Sequence, residues 1–337
     1  MASKERIEYF DFMKGLCIIL IVAFHIEPNI FPEQVGYMLK SLRIPMYYFL
    51  SGIFFKTYSR FADFTRHKVN NIIVPCLFFI QLANIKHITL WYAIGSGEWE
   101  MIALADPFVN RVYHYNVPVW FLISLFEVNI IYYALNMLLK KRALIYLSIG
   151  ILAFSSWCLR HTQITDNQLL LDTAFVALPY FVLGSEVKRL GYIEKNAKLD
   201  KWGFAVIIPA FVFIYYMSSE LNLLERILPD FHMLYIVPFV AVLSLFWFCK
   251  NLPRIPVINY IGRYSLIVLG THSIILGSIR SVVFKLIGES YGSYWVVLAV
   301  LIAAELIIIP IMIKLFPKFT AQDELIKPFG KNKDAAQ

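Results

Sequence analysis

Ten long apolar segments, spread over the whole chain, restrict this sequence to a helical membrane protein. A membrane-spanning helix needs about 20 mainly apolar residues, and lipid forces its backbone groups to hydrogen-bond internally. The chain is 59% hydrophobic and only 16% charged, which leaves too few charges to cover the surface of a soluble domain. The segments are residues 9–26, 36–55, 69–94, 117–139, 143–159, 168–187, 203–217, 231–249, 265–287 and 294–316. The sequence therefore predicts a single all-α domain over residues 1–337, a polytopic bundle of about ten transmembrane helices.

Positive charges predict the orientation of these segments. Most of the 31 Lys and Arg residues fall in alternate connections when the N-terminus is placed in the cytoplasm. The positive-inside rule then gives a multi-pass protein of the inner (plasma) membrane, surrounded by membrane lipids, with both termini and a short tail at 317–337 inside. The net charge of +8 is explained as a topology signal, so we expect no nucleic-acid partner.

The four cysteines carry no sign of a metal site. Cys17, Cys76, Cys158 and Cys249 each stand alone in an apolar run, without C-x-x-C spacing. We interpret them as small core residues, and we expect no metal.

The first segment contains ionisable residues that do not belong in lipid. Lys14 and His25 are 11 residues apart, about three helical turns, so they lie on nearly the same face roughly 16 Å apart along the axis. Asp11 precedes Lys14 by three residues and can pair with it. Intramembrane ionisable groups are candidates for function. The alternatives are an interface anchor for Lys14 and a hydrogen-bonded buried imidazole for His25.

The second segment combines Arg43, Pro45 and the pair Ser51–Gly52. A proline and a Ser-Gly pair predict a break or kink, which would free backbone groups to line a cavity. Close helix packing through small residues is the alternative. Arg43 can face the His25 end of the first segment, or its side chain can extend to the outer interface.

Other polar residues in the predicted spans have two interpretations each. Trp120, Glu127 and His272 can contact a substrate, while an interfacial tryptophan or structural hydrogen bonds would explain them equally well. The same holds for Asp172 and Glu305. Aromatic residues in the outer connection 95–116, among them Trp99 and Tyr113, suit either stacking on a sugar or an interfacial belt.

Five motifs, in order along the chain, resemble the acyltransferase-3 family of membrane acyltransferases. A basic residue, ten residues and a histidine run from Lys14 to His25, and residues 47–53 (YYFLSGI) are similar to a Phe-Phe-x-x-Ser-Gly-Phe element. Lys68 with Pro75, residues 120–122 (WFL), and Gly262-x-x-Ser265-Leu266 followed by His272 complete the set. Lysine replaces arginine at position 14 and tyrosine replaces phenylalanine at positions 47 and 48.

The resemblance implies transfer of an acyl group, usually acetyl from acetyl-CoA, to a hydroxyl of a cell-envelope polysaccharide or glycolipid. It implies that Lys14, Arg66 and Lys68 hold the phosphates of the donor. His25 would be the general base, with Asp11 fixing Lys14. Arg43 and Ser51 are candidate oxyanion stabilisers, and Trp120, Glu127 and His272 are candidate substrate contacts. Some family members carry a fused extracytoplasmic domain, so a separate extracytoplasmic partner is expected for any second step.

The residues alone also allow a different class of protein. Intramembrane His, Glu and Asp with an interrupted second helix are compatible with a proton-coupled transporter or flippase of a glycan or small anionic solute. The features at 14–25 and 51–52 have no counterpart in the second half of the chain, which disfavours this alternative.

Overall fold

The computed structural model describes residues 7–27, 30–94, 116–162, 170–194, 205–252 and 254–327, and these contain helices but no β-strand. The α-helices are α1 (Glu8–Ile26), α2 (Glu33–Ile53), α3 (Phe61–Lys68), α4 (Val74–Ile94), α5 (Trp120–Leu138), α6 (Arg142–Cys158), α7 (Leu171–Arg189), α8 (Ile207–Met217), α9 (Phe231–Asn251), α10 (Pro256–Arg263), α11 (Ser265–Ile287) and α12 (Tyr291–Leu315). The predicted all-α class is confirmed, and each of the ten apolar segments overlaps one of these helices.

Seven helical stretches in the described part of the chain are long and apolar enough to cross a membrane. They comprise α1, the continuous α3–α4 unit, α5, α6, α9, α11 and α12. Of the other three, α8 has only 11 residues, while α2 and α7 are long but more polar. The count of ten spans therefore stays a prediction, as does the side of the membrane on which each end lies.

One end of the bundle collects the connections that the sequence predicts to be cytoplasmic. Lys188 Nζ at the end of α7 donates to the carbonyl of Phe55, 2.9 Å away, just after α2. Arg254, before α10, is paired with Glu8 at the start of α1. Arg66 in α3 contacts Glu324, beyond α12. We call this the basic end.

The prediction of a break in the second segment is wrong, while a kink stays a prediction. α2 runs without interruption from Glu33 to Ile53, with Pro45 inside it. The small residues serve close packing instead: a Cβ on Gly52 would overlap the backbone carbonyl of Phe181 in α7, and a Cβ on Gly184 would overlap that of Phe49 in α2. Two glycines thus let the backbones of α2 and α7 touch, as is common between membrane helices.

A second glycine pair fixes α1, most of which is buried. A Cβ on Gly15 would overlap the carbonyl of Ile258 in α10, and one on Gly262 would overlap that of Asp11 in α1. The backbone of α1 is therefore held against α10 beside Lys14. This contact leaves another face of α1 available to line a cavity.

The contact between α2 and α7 gives a testable prediction for stability. In an ordinary helix interior, Gly→Ala is neutral or favourable by up to about 1 kcal/mol. At Gly184 the added methyl group meets the backbone of α2, so Gly184→Ala should destabilise the protein by about 1–3 kcal/mol, the usual cost of overpacking. The measurement is thermal unfolding of the purified protein in detergent. Gly150→Ala in α6 is the matched control, because nothing lies within 4 Å of its added Cβ. Equal unfolding midpoints for the two variants would contradict the packing.

Candidate functional site

A cavity of about 260 Å³ lies along one stripe of α1. The stripe consists of Lys14, Ile18, Ile21 and His25, which recur at helical spacing and all line the cavity. α2, residues 71 and 72, the start of α5 and the first turns of α11 form the remaining walls. The wall is mainly apolar, and polar groups interrupt it at a few points. A mainly apolar cavity, open on part of its surface, therefore runs between Lys14 and His25.

His25 is held in one tautomer by its own helix. Its Nδ1 lies 2.7 Å from the carbonyl oxygen of Ile21, one turn earlier in α1. Because a carbonyl can only accept, Nδ1 carries the proton in the neutral ring, and the lone pair is on Nε2. The alternative interpretation of His25, a buried imidazole with a structural hydrogen bond, is therefore correct for the Nδ1 atom. The same hydrogen bond leaves Nε2 in the form that a base requires.

A second imidazole lies directly behind the first. His272 in α11 is fully buried, and its ring centroid is 5.1 Å from that of His25, with the planes at 72°. Its Nδ1 lies 2.7 Å from the carbonyl of Val268, so it repeats the tautomer of His25. Its Nε2 has no hydrogen-bond partner among the residues that the structure describes. His272 lies off the cavity wall and contacts the cavity through His25.

Lys14 occupies the opposite end of the stripe, towards the basic end of the bundle. Its ammonium lies 4.7 Å from the ring centroid of Phe54, just after α2. Tyr47 in α2 donates its hydroxyl to the backbone carbonyl of Lys14 at 2.8 Å. The hydrogen bond ties α2 to α1 at this level, and the aromatic contact suits a cation in a low-dielectric site. An anionic group at this end of the cavity would meet a positioned positive charge.

The structure brings together some of the predicted site residues and separates others. Lys14, His25, Ser51 and Trp120 line the cavity. Arg43 lies beside it, one residue before the wall residue Ile44; its guanidinium stacks 4.2 Å from the ring centroid of Phe24 and is close enough to His25 for a coulombic interaction.

Four further predicted site residues lie away from the wall. Asp11 is buried where α1 meets α10, and Glu127 lies about two turns beyond Trp120 in α5. Arg66 donates to Glu324 at 3.1 Å, and the ammonium of Lys68 lies 5.5 Å from the ring centroid of Phe64. Donor contacts by Arg66 and Lys68 and an Asp11–Lys14 pair stay predictions.

Two buried carboxylates have structural partners. Both oxygens of Glu305 in α12 lie within 2.9 Å of the hydroxyl of Thr271 in α11. Asp172 in α7 lies 3.8 Å from Arg226. The aromatic residues predicted to act from the connection 95–116, Trp99 and Tyr113, lie outside the described residues. Within those residues no group of three or more His, Cys, Asp and Glu side chains could hold a metal ion.

Three polar wall residues were not among the predicted site residues. Tyr47 and Ser265 line the cavity although the sequence marked them only as parts of motifs. Tyr47 could have been found, because positions 44, 47 and 51 form a stripe on α2. Asn71 also lines the cavity. It lies in a π-helical turn (Val69–Ile73) that joins α3 to α4, and no local pattern predicts which way such a turn directs its side chains.

With this geometry established, comparison with known proteins identifies the family. The sequence matches a family model described as an acyltransferase domain over residues 7–313, nearly the whole chain. The chain belongs to the acyltransferase-3 family. Membership, together with the apolar helices, makes it a membrane acyltransferase in general terms and disfavours the transporter alternative. Comparison with curated proteins and with solved structures gave no match.

Proposed function

We propose that the protein transfers an acetyl group from acetyl-CoA to a hydroxyl of a cell-envelope polysaccharide or glycolipid in the inner membrane. The observation that carries this proposal is the cavity that joins Lys14 to His25 along one stripe of α1. Coenzyme A has phosphates at one end and a long, thin thioester arm. The cavity has a cation where the phosphates would lie and a base where the thioester would lie, so it matches the charge and the length of the donor.

The donor would enter at Lys14. Its phosphates would meet the ammonium at the basic end, and the arm would follow Ile18 and Ile21 towards His25. Lysine offers a point charge rather than the two-pronged contact of arginine, so the amine can follow a mobile phosphate but fixes its orientation less well. Lys68 lies one turn before the wall residue Ile72 and is the candidate for a second contact with these phosphates.

His25 would act as general base at the other end. Its Nε2 takes the proton from the acceptor hydroxyl while the hydroxyl oxygen attacks the thioester carbonyl carbon. The carbon–sulfur bond then breaks, and the proton passes from Nε2 to the leaving thiolate. The products are an ester and coenzyme A, and no other reactant is required. Ser51 on the wall and the nearby Arg43 are the candidates to stabilise the negative oxygen that forms in between.

We further infer that His272 positions His25. The edge-to-face contact at 5.1 Å limits rotation of the His25 ring about its hydrogen bond to Ile21. His272 is fully buried and lies off the wall, so it would act through His25 rather than on substrate. Trp120, which lies on the wall at the start of α5, is the candidate contact for an acceptor sugar.

Substitution of His25 tests the proposed base. His25→Ala should abolish transfer of labelled acetyl from acetyl-CoA to envelope glycolipid by the purified protein in lipid discs, since among the described residues that line the cavity His25 is the only imidazole or carboxylate. His161→Ala is the matched control, because that histidine is exposed at the end of α6. The control should keep wild-type turnover. Acetyl transfer by His25→Ala at more than a small fraction of the wild-type rate would reject the assignment.

Substitution of His272 separates positioning from direct chemistry. His272→Ala should lower kcat by about 100-fold, the loss expected from a misplaced catalytic group, while KM for acetyl-CoA stays near wild type. His272→Phe keeps an aromatic edge against His25 and should recover much of this loss. A change confined to KM, or a phenylalanine variant as slow as the alanine variant, would show that ring packing is not the role of His272.

A further inference from the structure

A second, larger hollow of about 430 Å³ opens at the basic end, away from the α1 cavity. The connection after α2, the end of α5, the start of α6 and the end of α7 surround it. Phe54 lines the α1 cavity while Phe55 lines this hollow, so the two spaces lie on different sides of the α2 terminus. None of the residues assigned to acyl transfer lines this hollow.

The hollow concentrates positive charge. Four cationic side chains line it, and one carboxylate, that of Glu186, accompanies them. The cations are Lys56, Arg142, Lys188 and Arg189. Four positive groups against one negative group leave an excess of three positive charges among the lining residues. The positive-inside rule explains basic residues at this end, but not their convergence from three separate elements on one recess.

The internal contacts account for only part of this charge. Arg142 and Arg189 share Glu186, at 3.2 Å and 2.5 Å. Lys188 donates to the backbone carbonyl of Phe55. The side chains of Arg142 and Arg189 remain 57% and 44% exposed, so a ligand can reach them. A phosphate would satisfy several of these donors at once.

The neighbouring surface indicates where the phosphate comes from. On α6, one residue beyond the lining residue Tyr146, a stripe of Leu147, Ile151 and Phe154 begins, and each of these side chains is at least 50% exposed. The stripe runs along the helix away from the basic end, as an acyl chain would. We propose that the hollow binds the phosphate headgroup of an anionic phospholipid, whose acyl chains lie on this stripe. Basic pockets between helices at this level are suited to such headgroups.

Lipid retention measured by native mass spectrometry tests the site. The protein is purified in neutral phosphatidylcholine discs containing a minor fraction of phosphatidylglycerol. The double variant Lys56→Gln/Arg189→Gln leaves the Arg142–Glu186 pair and the Lys188–Phe55 contact in place. It should retain phosphatidylglycerol at least about tenfold less well than wild type, since each surface cation contributes about 1 kcal/mol to anionic-lipid binding. Its acetyl transfer in neutral lipid should be unchanged, which keeps the result independent of the proposed function.

Two controls make the outcome decisive. Lys140→Gln/Lys141→Gln removes the same charge from the same end, but neither residue lines the hollow. This variant should retain the lipid as wild type does. An equal loss in both double variants would overturn the site in favour of general surface charge. Displacement of phosphatidylglycerol from the wild type by 3′,5′-ADP would also overturn the proposal, because it would assign the hollow to a soluble nucleotide phosphate.

Discussion

The hydrogen bonding that lipid forces on a backbone is the constraint on which the rest of this structure depends. In α1 it sets a period of 3.6 residues, and that period alone aligns Lys14, Ile18, Ile21 and His25 on one wall. The carbonyl of Ile21, already part of the helix, also orients the imidazole. The helix that spans the membrane is thus the same element that sets the distance between cation and base and the tautomer of the base.

Close backbone contacts keep this helix in place. Gly15 and Gly262 hold α1 against α10, and Gly52 and Gly184 hold α2 against α7. Tyr47 then joins α2 to α1 by its hydrogen bond to the Lys14 carbonyl. In lipid no hydrophobic effect drives helices together, so packing of small residues and hydrogen bonds must supply the association. None of the four glycines lines the cavity, so the backbone contacts that they allow leave it open.

The sequence predicts the helices and the α1 stripe well, because both depend on local periodicity. Prediction fails where two segments distant in the chain meet. Ser51–Gly52 indicated a break or kink, but whether a glycine interrupts a helix or lets a neighbouring helix approach depends on Gly184 in α7, 132 residues further along the chain. Two other features are likewise properties of the packed bundle. They are the ion pair between Arg66 and Glu324 and the position of His272 behind His25. The direction of the Asn71 side chain depends on a π-helical turn, and no local sequence pattern predicts that direction.

In the proposed reaction, the thioester of a donor bound at Lys14 reaches Nε2 of His25. Bromoacetyl-CoA tests this proximity directly. Its electrophilic carbon stands where acetyl-CoA has its methyl carbon, and it alkylates the nearest nucleophile. The purified protein is treated with this reagent, digested, and mapped by mass spectrometry, with and without excess acetyl-CoA. We expect a single modification at His25 that acetyl-CoA prevents. Protected modification of a residue off the α1 cavity, such as Cys158, with His25 untouched, would contradict it.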